Sequence, residues 1–172
     1  MESLFAALGL VFIAELGDKT QLVALGFGAR YRLAPVMAGL VAAYAVTNLL
    51  SVVIGGLLGA ALPTRAIGLG GGVLFLGFAV WTLTSGEEDD EEAPEVGDRS
   101  VFLTVAVAMF VAELGDKTML ATATLAAQGD PVLVWIGATV GIILSGSLGV
   151  LVGRAFGARL PERATRIGSA VL

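Results

Sequence analysis

The sequence predicts an all-α integral membrane protein of two inverted three-helix repeats, with six transmembrane helices, the last of them cut short in this chain. Three observations predict it. The 172 residues are 56% apolar and 15% charged, with a mean hydropathy of +0.90, whereas a soluble domain carries about 25% charged residues. Uncharged stretches long enough to cross a bilayer, about 20 residues, recur along the chain. The second half also repeats the first at an offset of 98: Ala14-Glu15-Leu16-Gly17-Asp18-Lys19-Thr20 returns as Ala112-Glu113-Leu114-Gly115-Asp116-Lys117-Thr118, and Gly39, Gly55 and Leu62-Pro63 return as Gly137, Gly153 and Leu160-Pro161.

The first repeat covers residues 1–84. Its first span, 3–27, is apolar except for Glu15, Asp18 and Lys19 near the middle. Arg30, Arg32 and Pro35 punctuate the step to the second span, 33–64, and Pro63 and Arg65 the step to the third, 66–86. Residues 85–100 form a linker: positions 87–98 hold eight of the fifteen acids and no base, so the remainder of the chain is net +3. Such a run is too charged to pack and reads as a disordered, solvated linker, with a cation-collecting loop as the functional alternative.

The second repeat covers 101–172. Its first span, 101–127, is interrupted by Glu113, Asp116 and Lys117; the next runs 131–153, after Asp130-Pro131. A sixth span starts near Arg166, but only six residues follow it, about 9 Å of helix. At the repeat offset Leu172 matches Leu74, so the sequence predicts that the last turns are missing from this chain. Three spans is an odd number, so the second copy enters the membrane from the opposite side, an architecture common among secondary transporters. Arg30, Arg32, Arg99, Arg154, Arg159, Arg163 and Arg166 fall on one side and Arg65 alone on the other. The positive-inside rule then puts the acidic linker in the cytoplasm and both termini outside. The N-terminus lacks the basic region of a cleavable signal peptide, so the first helix is expected to be retained.

Cysteine and histidine are both absent. This argues against zinc, copper, haem and iron–sulfur sites and against Cys/His nucleophilic chemistry. No resident cofactor and no nucleic-acid partner are expected. The oligomeric state is left open.

Ionisable groups in mid-span are expensive, about 2.5–3.5 kcal/mol each on insertion scales, and so point to function. On a continuous helix Glu15, Asp18 and Lys19 share one face, Gln21 widens it, and Thr20 points elsewhere. The second copy carries Met119 in place of Gln21. Gly17 and Gly115 either admit a neighbouring backbone or let the helix unwind and offer carbonyl oxygens. Facing each other at the midplane, Glu15, Asp18, Glu113 and Asp116 with Lys19 and Lys117 leave a charge of −2, which one divalent cation neutralises. Oxygen donors suit Ca²⁺, Mn²⁺ or Mg²⁺. Once the metal leaves, crowded carboxylates take up protons, so metal-for-proton exchange is the expected mechanism.

Thr47, Asn48 and Ser51 in the second span, and Ser145 and Ser147 in the fifth, either line the path or only hydrogen-bond between helices. Two rival readings of the motifs are a structural Glu/Lys ion pair, duplicated with the gene, and an intramembrane aspartyl protease with Asp18 and Asp116 as its dyad. Adjacent lysines would disturb a shared-proton dyad.

The two Glu-x-Gly-Asp-Lys-Thr motifs, in opposed halves separated by an acidic loop, resemble the Gdt-type family of the cation/Ca²⁺ exchanger superfamily. The resemblance covers nearly the whole chain. It implies Mn²⁺ and Ca²⁺ transport coupled to protons, with Glu15, Asp18, Glu113 and Asp116 as cation ligands. Bacterial relatives resemble manganese exporters, so the expected location is a bacterial inner membrane and the expected role is metal export and homeostasis. Lys19 and Lys117 then balance charge in the empty state, and Thr20 and Thr118 supply hydroxyls or hold a helix break. A divalent-cation channel built from the same residues is the main alternative.

Overall fold

The computed structural model describes residues 1–58 and 97–156. Six helices and no strand lie among the described residues: α1 (Glu2–Glu15), α2 (Lys19–Arg30), α3 (Leu33–Leu58), α4 (Asp98–Glu113), α5 (Lys117–Gln128) and α6 (Pro131–Phe156). The expected third span, nearly all of the acidic linker and the sixth span lie outside them. α4 begins at Asp98, inside the stretch the sequence assigns to the linker.

The expected spans 3–27 and 101–127 are each two helices. α1 ends at Glu15 and α2 begins at Lys19; α4 ends at Glu113 and α5 begins at Lys117. Gly17 and Gly115 explain the breaks, with φ of +78° and +79°, a left-handed conformation that costs other L-residues about 1–2 kcal/mol. A Cβ on Gly17 would meet nothing within 4 Å. Glycine is therefore needed there for its backbone conformation, not for a close approach. The face-sharing geometry of an unbroken helix accordingly does not apply: Asp18 and Asp116 sit in extended backbone at the N-caps of α2 and α5.

α3 and α6 are unbroken, each 26 residues, or about 39 Å of helix. These two are long and apolar enough to cross a membrane. α6 starts cleanly because Asp130 Oδ1 accepts from the backbone N–H groups of Val132 and Leu133 at 2.9 and 3.1 Å, with Pro131 at the first helical position.

Packing follows the repeat, but crosswise. α3 lies against α4 and α5, and α6 against α1 and α2. The glycines equivalent at the offset make equivalent contacts: Gly39 faces the backbone of Phe102 and Gly137 that of Leu4, while Gly55 faces Ala123 and Gly153 faces Leu25. A Cβ at any of the four would come within 2.0–2.7 Å of a carbonyl oxygen. The glycine richness of the chain thus serves close helix contact. α3 and α6 meet where Gly146 receives Tyr44 and Leu40, and Trp135 Nε1 donates to Ala45 O at 3.0 Å. Arg32, just before α3, pairs with Asp98 at the start of α4, and Ser3 touches Gly129 between α5 and α6. α1 therefore starts beside the end of α5, and α4 starts close to the α2–α3 junction.

Alongside an apolar core, the protein buries two acids and turns many large apolar side chains outward. Glu15 and Glu113 are 1% and 2% exposed, while Phe5, Ile13, Leu49, Val53, Val107, Leu148 and Leu151 stand outward. An apolar exterior around buried carboxylates suits hydrocarbon, not water.

Candidate functional site

The site lies where the two helix breaks face each other. Glu15 and Glu113 are the last residues of α1 and α4, and Asp18 and Asp116 cap α2 and α5. Each break thus joins a helix C-terminus, whose free carbonyls favour cations, to an N-terminus, whose N–H groups favour anions. Gly17 N donates to Gln21 Oε1 at 2.8 Å, and Gly115 N to Met119 Sδ at 3.4 Å. The side chain four residues on closes both breaks in the same way.

One carboxylate oxygen from each of Glu15, Glu113 and Asp116 lies within 4.8 Å of the other two. Asp18 does not join this group; it pairs with Lys117, Nζ to Oδ1 at 2.8 Å. Lys19 makes the reciprocal pair with Asp116 at 2.9 Å. Both ion pairs cross between copies, so the i,i+4 Glu/Lys pair within one helix is not the arrangement found. The Lys19–Asp116 pair is the more covered, its side chains 26% and 11% exposed against 55% and 18% for Lys117–Asp18. Because each aspartate faces a lysine, the two do not form a shared-proton dyad.

Hydroxyls surround the glutamates. Thr20 Oγ1 donates to Glu15 Oε2 at 3.0 Å, and Thr118 Oγ1 approaches Asp116 Oδ2 at 3.4 Å while also facing Glu15. Glu15 Oε1, Glu113 Oε1 and Asp18 Oδ2 are buried with no hydrogen-bond partner. Buried carboxylate oxygens are costly unless something pairs with them, and a hard cation is such a partner.

The secondary polar residues divide. Gln21 Nε2 donates to Ser145 O at 3.0 Å and reaches Ser145 Oγ at 3.4 Å, tying α2 to α6. Thr47 and Ser51 bond carbonyls of their own helix, as does Ser147. Asn48 Nδ2 donates to Tyr44 O, and its Oδ1 accepts from Thr122 at 3.3 Å. Thr47, Asn48 and Ser51, together with Glu113, Thr118, Met119 and Ile142, line a small cleft of about 10 Å³, room for about one water.

Tyr44, Thr122 and Thr139 are buried polar residues that the sequence reading missed. Tyr44 is 1% exposed, and its ring lies in the region of Thr20 and both glutamates. A signal existed: Tyr44, Asn48 and Ser51 repeat at i, i+4, i+7, one helix face.

Comparison with known proteins bears on this geometry. Residues 3–90 and 101–172 match the family model described as divalent cation/proton antiporter GDT1. A candidate manganese exporter of Vibrio cholerae is 34% identical over 94% of this chain and 81% of its own length. A GDT1-like protein of Synechocystis sp. is 31% identical over 92% and 86%, and GDT1-like protein 3 of Arabidopsis thaliana 26% identical over 94% and 64%. No solved structure matches the chain.

Proposed function

The chain belongs to the GDT1 family of divalent cation/proton antiporters, and from that premise we propose that it exports Mn²⁺, and more weakly Ca²⁺, in exchange for protons across a bacterial inner membrane. It is a membrane transporter, not an enzyme. The observation that carries the reading is the meeting of Glu15, Glu113 and Asp116, with two glutamate oxygens buried and unpartnered.

In this reading Glu15 and Glu113 are the central ligands and the proton carriers. Asp116 completes the cluster once Lys19 swings off it, and Asp18 is the corresponding ligand when Lys117 lets go. Each lysine is a tethered cation that holds an aspartate while metal is absent. Thr20 and Thr118 keep the carboxylates in place with their hydroxyls, and Gln21 with Ser145 and Thr47 with Asn48 flank the two routes of approach. Entry of a divalent ion displaces protons from carboxylates that must be ionised to ligate it, and proton return releases the metal.

The crosswise packing and the opposite starting ends of α1 and α4 support two inverted three-helix repeats, 1–84 and 101–172, joined by the linker at 85–100. Six membrane spans, termini outside and an acidic cytoplasmic loop follow from that arrangement and from the arginine distribution.

Proteoliposomes containing the protein, given Mn²⁺ or Ca²⁺ with and without a pH gradient, test the proposal. Uphill metal movement driven by protons and lost in Glu15→Gln and Glu113→Gln is expected. Flux indifferent to the gradient would make the protein a channel.

A further inference from the structure

The two motifs are chemically unequal at one position. Gln21 and Met119 are equivalent, and each accepts a hydrogen bond from the glycine N–H of its own break. Gln21 continues across to Ser145 on α6. A thioether has no proton to donate, so Met119 makes no matching bridge to Thr47, the equivalent of Ser145, whose hydroxyl turns back onto its own helix. Met119 instead forms a wall of the cleft beside Glu113, with Asn48, Thr47, Ser51 and Thr118 as the other polar lining. It is 8% exposed, and Glu113 contributes a buried oxygen without a partner.

The cleft therefore combines a carboxylate, an amide, hydroxyls and one sulfur. Alkaline-earth cations take oxygen ligands, whereas a thioether is a soft donor that Ca²⁺ refuses and that d-block cations take the more readily the softer they are, Mn²⁺ least among them. We propose that Met119 Sδ is a specificity-determining ligand in the cation path, favouring a transition-metal cation over an alkaline-earth one at Glu113. In reaching the cation the sulfur exchanges its weak bond from Gly115 N for the metal. The inference rests on the reading that the carboxylate cluster carries a divalent cation.

The test is Mn²⁺ uptake by the full chain in proteoliposomes with Ca²⁺ or Cd²⁺ as competitor, comparing wild type, Met119→Leu and Met119→Gln. Leucine keeps the volume and removes the sulfur; glutamine also removes it but keeps an acceptor for Gly115 N, as Gln21 does for Gly17 N. In both variants the Ca²⁺ needed to halve Mn²⁺ uptake should fall by about tenfold, and the Cd²⁺ needed should rise by about tenfold, the low end of what loss of a contact at a metal costs. Unchanged ratios in both variants would overturn the assignment. A change confined to Met119→Leu would also overturn it, because it makes the side chain a cap of the break only. A second readout uses wild-type protein carrying ¹³C-methyl methionine, with Met37→Leu and Met109→Leu assigning two of the four resonances and a water-soluble relaxation agent telling exposed Met1 from buried Met119. Cd²⁺ should shift the Met119 methyl, and saturation without a shift would refute the proposal even if the Met119 variants fail to fold. Absence of uptake of any ion by wild type would instead defeat the transport reading itself.

Discussion

Replacing Gly17 with alanine isolates the backbone contribution of the first helix break. At φ +78° with nothing within 4 Å of a built Cβ, the substitution meets no neighbour, so its whole effect is conformational. Forcing alanine into the left-handed region costs about 1–2 kcal/mol. The same substitution at Gly26, inside α2 and equally open, removes a flexible residue from a helix and should stabilise by about 0.5–1 kcal/mol. One chemical change in two uncrowded places should therefore have opposite signs. Thermal unfolding in detergent reads the difference: at about 2–4 °C per kcal/mol, Gly17→Ala should melt several degrees below wild type and Gly26→Ala slightly above it. Gly17→Asn should lie between wild type and Gly17→Ala, because asparagine tolerates this backbone better. If Gly17→Ala melts at or above wild type, residues 2–30 form one continuous helix and the site geometry derived from the break is wrong.

Gly153→Ala places a methyl 2.0 Å from Leu25 O; two backbones must separate, and the variant should lose monodispersity on size exclusion, while Gly56→Ala, in open space, should not. Gln21→Leu removes both the bond from Gly17 N and the tie to Ser145, about 0.5–1.5 kcal/mol each, and should lower the melting temperature more than Gln21→Glu, which keeps the acceptor. Lys19→Met should depress transport more than Lys117→Met, because its pair is the better covered and exposed pairs contribute little; equal effects would speak against separate environments for the two lysines.

The sequence displayed the motif pair, and with it the two glutamates that are the most deeply buried of the acids among the described residues. Duplication was legible because it is written in identities at a constant offset. The helix break was not, since Leu16-Gly17-Asp18 reads equally as a helix turn with a small residue, and only the backbone angle of Gly17 separates the alternatives. That difference moved Asp18 out of the carboxylate cluster and turned both lysines toward the opposite copy. Tyr44 escaped notice because an aromatic in an apolar span normally reads as packing, and the groups near it, Thr20 and the glutamates, are distant in sequence. The crosswise contacts of α3 and α6 were likewise invisible, for glycine spacing marks a close approach without naming the helix that makes it.

Metal and proton sharing the same carboxylates is the account's central claim. Adding Mn²⁺ to weakly buffered, detergent-solubilised protein and counting the protons released as the metal binds tests it directly. Proton release that accompanies binding, shrinks as pH rises, and is lost with the binding itself in Glu15→Gln and Glu113→Gln is the predicted result. Mn²⁺ binding of undiminished affinity in those variants, or binding by wild type with no proton released at any pH, would contradict it.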